Sequence, residues 1–285
     1  MTNPLKLPTL NKLQYNNKNL ISYVTWDSFG PTALLVHGEM RTSRSFDELS
    51  RNLCEYKIIA MDLPGHGNST WRNNKYRFKD RSADIEILVN SMKNTSLIGV
   101  AHSTGAVALG LYVSSNTSIF KSLVLLEPMM IVDEKFQRMI SSRNDRPRRT
   151  WNNKTELSKY LCNHPVTKRW TPQVIEDVVN YETFTNSEGN IDMLYSSETL
   201  NWKEREGDYL EFETTLKNIS LPILMVISDE RKDNFSKAFE LEKEIPNLSI
   251  VTMRNTSHNM YMERPKALSK LILDFNNKKC LPKSV

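Results

Sequence analysis

The chain has 285 residues, 39% of them hydrophobic and 25% charged, and its 38 basic and 33 acidic side chains leave a formal charge of +5. That length and balance fit one globular unit with a full core, or one domain carrying an insertion, and basic residues scattered among acidic ones are unlike the footprint of a nucleic-acid-binding protein. No apolar run reaches membrane-spanning length, residues 1–6 lack the apolar core of a secretory signal, and Cys54, Cys162 and Cys280 are too few and too far apart for a disulfide framework; a cytoplasmic location is the expectation.

Taken in chain order, apolar runs predict strands over residues 21–26 and 32–37. A helix is expected around 44–54, with Phe46, Leu49 and Leu53 at helical spacing. A strand over 57–61, a helix over 81–92, a strand over 97–100, a helix of small residues over 106–112 and a strand over 122–126 follow. From Met129 to Leu216 the rhythm breaks: the stretch is polar, helical in pattern, and holds no convincing buried strand. The alternation resumes with a strand over 221–227, a helix over 236–244, a strand over 248–253 and a helix over 266–275. Such alternation predicts a mostly parallel, doubly wound α/β sheet with helices on both faces.

Four segments carry the residues with chemistry. Val100-Ala101-His102-Ser103-Thr104-Gly105 leaves one strand and opens the next helix. A small residue two before the serine and a glycine two after it suit a sharp turn in which backbone lies against backbone, the nucleophile elbow; Ala101 stands where glycine is usual. The 32–37 strand ends in His37-Gly38, and the 57–61 strand runs into Asp62-Leu63-Pro64-Gly65-His66-Gly67. Asn255-Thr256-Ser257-His258 precedes Met262-Glu263-Arg264-Pro265 and a helix. In this order, over residues 20–275, the segments resemble the α/β-hydrolase superfamily. The resemblance implies an α/β-hydrolase fold whose core comprises residues 1–128 and 217–285, with a helical cap over 129–216, between the sixth and seventh strands.

Ser103 is the candidate nucleophile, and its hydroxyl is too weakly acidic to attack a carbonyl without an adjacent base. His258, in a loop after the last strand, is the candidate base and proton carrier. The plain alternatives are a serine that caps its helix and a histidine exposed in a loop. His66 reads as structural, and His102, although next to Ser103, should project away from it. A carboxylate must hold the histidine's tautomer and stabilise its cation. In most of the superfamily it follows the seventh strand in a Gly-x-x-Asp turn; aligned without a gap, Ser228 takes the glycine slot and Arg231 the acid slot, and arginine cannot serve. A shift of one or two residues offers Glu230 or Asp229. The other candidate is Glu127, in Leu125-Leu126-Glu127-Pro128 at the end of the sixth strand, where some relatives carry their acid and where a buried glutamate without a partner would be costly. The order of preference is Glu127, Glu230, Asp229.

Oxyanion donors should be backbone N–H groups: that of Thr104, after the nucleophile, and one after Gly38, at Glu39 or at Met40. A glutamate there disfavours an oxyanion unless its side chain turns away. In the 129–216 stretch Arg143, Arg146, Arg148 and Arg149, with Trp151, Trp170 and Tyr181, either draw an anionic substrate or form a solvated charged face over packed aromatics, the favoured reading. Met129, Met130 and Met139 either line an adaptable apolar pocket or fill core. No histidine or cysteine spacing fits a metal, and Gly99, Gly105 and Gly110 belong to the elbow and its helix rather than to a dinucleotide fingerprint; neither metal nor cofactor is expected. The resulting reading is a serine hydrolase of the carboxylesterase or lipase kind, cleaving an ester-type bond (carboxylester, lactone or thioester) of a small-molecule acyl substrate through an acyl-enzyme. The alternatives are C–C bond hydrolysis by the same triad and a non-catalytic ligand-binding protein on the same fold. Neither a nucleic-acid partner nor membrane insertion is expected.

Overall fold

In this computed structural model, which describes residues 7–92, 96–144, 147–202 and 210–285, the sheet begins with a strand that apolar spacing does not announce. β1 (Thr9–Gln14) lies antiparallel on β2 (Leu20–Trp26), and its side chains are exposed or half-buried, so no apolar periodicity marks it. β3 (Thr32–Val36) is wholly buried and joins β4 (Lys57–Met61) through a 3₁₀ turn, Ser43–Phe46, and a short α1 (Asp47–Arg51). The single helix predicted over 44–54 is therefore split. α2 (Phe78–Ser91), β5 (Leu97–His102), α3 (Ser103–Ser114) and β6 (Phe120–Leu126) follow.

Between β6 and the next strand of the main sheet the chain makes its long excursion: β7 (Ile131–Val132), α4 (Glu134–Asn144), α5 (Lys154–Asn163), α6 (Pro172–Tyr181), β8 (Thr183–Thr185), β9 (Ile191–Met193), β10 (Leu210–Glu211) and α7 (Phe212–Lys217). Among its described residues the stretch holds four strands of two or three residues each, none buried along its whole length, pairing as β7 with β10 and β8 with β9 apart from the main sheet. Strands that short show no alternation. The core resumes with β11 (Ile223–Ser228), α8 (Ser236–Glu244), β12 (Leu248–Met253), α9 (Met260–Glu263) and α10 (Pro265–Asn276).

The main sheet has eight strands in the order β1-β2-β4-β3-β5-β6-β11-β12. β1, β2 and β4 pair antiparallel, and every pairing from β4 through β12 is parallel. Parallel strands covered on both faces must be apolar on both sides, which is why β3, β5 and β11 are buried along their length. Leu34 and Val36 pack on one face with α2 and α3, while Ala33 and Leu35 pack on the other with Leu49, Leu268 and Val178. Among the described residues no helix is long and apolar enough to cross a membrane. In such a sheet, loops leaving the C-terminal ends of the strands gather at one edge, and the loops after β3, β5, β6, β11 and β12 carry the residues singled out above.

Candidate active site

The elbow follows from backbone contact. β5 ends at His102, and Ser103, the first residue of α3, has φ +52°, a left-handed value that costs a non-glycine residue of order 1–3 kcal/mol. Close packing enforces it. A Cβ on Gly105 would lie 2.2 Å from the carbonyl oxygen of His37, and one on Gly38 would lie 3.0 Å from the Ser103 Cβ. Glycine at both positions lets α3 and the loop after β3 close on the serine from two sides.

Around Ser103 three loops converge. Its Oγ is 3.2 Å from His258 Nε2, and His258 Nδ1 is 2.7 Å from Glu127 Oε2. With Nδ1–H donated to the carboxylate, Nε2 is left to accept the serine proton. Glu127 is buried, leaves β6 at φ +42°, and ties into β11: its Oε1 accepts the Ser228 N–H at 3.0 Å and the Ser228 hydroxyl. Its Oε2 also has Arg231 Nε at 3.1 Å. Burial pushes the Glu127 carboxyl up, but the hydrogen bond and charge of His258, the Arg231 charge and the Ser228 hydroxyl outweigh it, and the group is held below the ordinary carboxylate range. The residue aligned with the usual acid slot, Arg231, is thus a counter-ion of Glu127.

The other two carboxylates are engaged elsewhere. Glu230 is largely solvated and ion-pairs with Arg169. Asp229 accepts the N–H groups of Asn255 (2.8 Å) and Thr256 (3.1 Å), fastening the start of the His258 loop. Burial pushes its carboxyl up, and these backbone hydrogen bonds more than compensate, leaving it low.

His102 does not project away from the site. Its ring lies 4.5 Å from that of His258, and its Nε2–H donates to the His258 carbonyl at 2.8 Å. Burial, reinforced by the neighbouring His258, lowers its pKa far below the ordinary imidazole value, so it holds the His258 backbone as a neutral ring. His37 is likewise buried and neutral, donating Nδ1–H to the Gly38 carbonyl (2.7 Å) and accepting the Leu63 N–H at Nε2 (3.0 Å). This pins the loop after β3 to the Pro-Gly-His-Gly turn.

Of the two residues expected to donate to an oxyanion, Thr104 follows Ser103 in the chain and Glu39 follows Gly38, which packs against Ser103. First-turn amides of a helix have no intrahelical acceptor, and Thr104 is the second residue of α3. The Met40 N–H is taken by His66 Nε2 at 3.3 Å, and Glu39 is the residue that follows Gly38 in that loop. The Glu39 side chain turns to Arg81, whose Nη2 donates to Oε1 at 2.7 Å.

A family model described as the alpha/beta hydrolase family matches residues 33–271. The chain belongs to the alpha/beta hydrolase family. It is 21% identical over 251 residues to 2-(acetamidomethylene)succinate hydrolase of Mesorhizobium japonicum, covering 86% of this chain and 88% of that one. A crystal structure of E-2-(acetamidomethylene)succinate hydrolase superposes with a TM-score of 0.82 at 19% identity, covering 95% of this chain and all of the other. The thioesterase domain from the curacin biosynthetic pathway superposes with a TM-score of 0.79 at 20% identity, covering 94% and 99%. A local match to the magnesium-chelatase 30 kDa subunit of Rhodobacter capsulatus is 37% identical over 86 residues but spans only 30% of that protein and 29% of this one.

In this family member the 129–216 arginines that lie among the described residues are partnered. Arg148 donates to Asp192 and to the carbonyls of Met193 and Tyr195, and Arg149 stacks on Tyr160 at 4.6 Å. Trp170 sits under Arg41 and Tyr181 under Arg44. Met129 and Met130 are half-buried against the core. Arg146 and the side chains of Arg143 and Met139 lie outside the described residues. A cleft of about 780 Å³ at the opposite edge of the sheet, lined by Phe120, Lys121, Pro222 and Lys279, includes none of Ser103, His258, Glu127 and their hydrogen-bond partners.

The sequence did not point to Arg81, nor to Ser228 and Arg231 as partners of Glu127. For Arg81 a signal exists. It falls on the buried stripe of α2 with Phe78, Ile85 and Leu88, and a charge on an apolar face requires a buried partner.

Proposed function

We propose that the protein is a serine hydrolase that cleaves an ester-type acyl bond of a small molecule through an acyl-enzyme, of the carboxylesterase or lipase kind. The chain of contacts Ser103 Oγ–His258 Nε2 at 3.2 Å and His258 Nδ1–Glu127 Oε2 at 2.7 Å carries this reading. Ser103 attacks the carbonyl carbon and its proton passes to His258 Nε2. Glu127, ionised because its partners hold its pKa low, stabilises the imidazolium. The Thr104 and Glu39 N–H groups receive the oxyanion, each donor contributing about 100- to 1000-fold in rate. His258 then protonates the leaving group and activates water for deacylation. Residues 129–216 form the cap over this site, and 1–128 with 217–285 form the core.

Labelling with a fluorophosphonate probe tests the reading. The wild type is expected to label at one residue and the Ser103→Ala variant not at all, after which esters and thioesters of graded chain length define the acyl group. A folded wild type that stays unlabelled would overturn the assignment in favour of a ligand-binding protein on this fold.

A further inference from the structure

We infer that Arg81 is a positioning residue for the oxyanion hole, gripping the side chains of both residues whose backbone N–H groups form it; the inference rests on the serine-hydrolase reading above. The guanidinium is 1% exposed, and its donors are spread over three segments. Nε donates to the Tyr76 carbonyl just before α2 at 3.0 Å, Nη1 to Thr104 Oγ1 on α3 at 3.3 Å, and Nη2 to Glu39 Oε1 on the loop after β3 at 2.7 Å. One planar cation therefore joins the elbow helix to the loop that faces it across Ser103. Lysine, a single point charge on a flexible stem, could not hold that fork.

The charge has a second consequence. The Glu39 carboxylate, only 15% exposed, shares Arg81 with the side chain of Thr104, the residue after Ser103, and in such a poorly solvated site a carboxylate repels negative charge developing on the substrate. The cation 2.7 Å away cancels the carboxylate's charge. His66, whose Nε2 lies 3.3 Å from the other Glu39 oxygen, is driven toward its neutral form by burial, although Glu39 opposes this, so Arg81 is the standing counter-charge. An arginine serving only to join α2 to the sheet could donate to any nearby carbonyl. This one takes the two side chains of the oxyanion residues, so its displacement moves both amides and exposes the Glu39 charge together.

The phosphonyl oxygen of a fluorophosphonate occupies the same hole, so the inactivation rate of Ser103 reads the role directly. Arg81→Met should slow labelling about 10- to 100-fold, the cost of misplacing oxyanion donors, and should lower kcat on an ester with KM changed less than about threefold. Adding Glu39→Gln to Arg81→Met removes the charge that Arg81 offset and should restore labelling at least about fivefold, a rescue that a purely structural role would not produce. If Arg81→Met does not fold, Glu39→Leu, which keeps the amide but releases the tether, should slow labelling about tenfold in a protein that unfolds cooperatively. A folded Arg81→Met labelled within about twofold of wild type, no recovery in the double variant, or a Glu39→Leu rate equal to wild type would each overturn the inference. A wild type not labelled at Ser103 would remove the serine-hydrolase reading itself, and the positioning role with it.

Discussion

Glu127 concentrates the strain and the charge of the site in one residue. Its left-handed backbone is a conformation an L-residue holds only when its surroundings compel it, and here the Ser228 N–H, Arg231 and His258 all converge on its carboxylate. Replacing it with glutamine keeps the volume but presents an amide that can donate to Nδ1 and favour the wrong imidazole tautomer. Glu127→Gln should therefore lower kcat about 1000- to 10,000-fold, whereas Glu230→Gln, which only releases Arg169, should stay within about threefold of wild type. Ester turnover of the two variants decides it; full activity in Glu127→Gln, or equal losses in both, would refute the assignment of the acid. The sequence placed Glu127, Glu230 and Asp229 in contention because each stands at a strand end. It ranked Glu127 first by a narrow margin, because the choice depends on which carboxylate a histidine 131 residues away reaches.

At the scale of elements, the site is built by the fit of α3 against β3. Gly105 lies where any Cβ would strike the His37 backbone at 2.2 Å, and a backbone atom has little room to yield. Gly105→Ala should lower stability by about 3 kcal/mol, seen in urea unfolding as a lower midpoint at unchanged slope. A midpoint equal to wild type would mean that α3 can slide from β3 without cost. The elements themselves were unequally legible. β5, β11 and β12 announce themselves as apolar runs because they are buried on both faces. β1 does not, because it lies at the sheet edge in water. The predicted helix over 44–54 splits because the Thr42 hydroxyl accepts the Arg44 N–H at 3.2 Å and starts a 3₁₀ turn, a hydrogen bond that apolar spacing does not encode.

At the scale of the molecule, the 129–216 excursion is fastened to the loop that carries Glu39. Glu182, at the end of α6, is wholly buried, accepts the Thr42 N–H at 3.2 Å and lies 3.6 Å from Arg41. Burial raises its pKa from 4.5 to about 7; Arg41 and the Thr42 N–H pull it down, and Asp47 and Asp62 push it further up. A carboxyl raised in the folded state binds its proton more tightly there than in the unfolded chain. Its contribution to stability is therefore complete below about pH 4.5 and lost as pH rises to about 7, amounting to about 3 kcal/mol at most. Thermal unfolding of wild type and Glu182→Gln from pH 4.5 to 7.5 should give curves whose separation changes across that window, the wild type losing more stability as pH rises. Parallel curves would refute the coupling. A second link, Arg51 to Asp177 at 2.7 and 3.0 Å, joins α1 to α6 nearby.

The amino-acid sequence by itself determined the alternation of strands and helices, the elbow at Ser103, the position of His258 and the family these features imply, because each reflects a local demand: apolar faces to bury, a turn too tight for a side chain, a loop after a strand. Only the tertiary structure brought Glu127 rather than Glu230 to His258, turned Arg231 into a counter-ion, set His102 behind the His258 loop and placed Arg81 between Thr104 and Glu39. Those are contacts between charged or polar groups far apart in the chain, and their energies depend on burial and distance, which residue order alone does not contain.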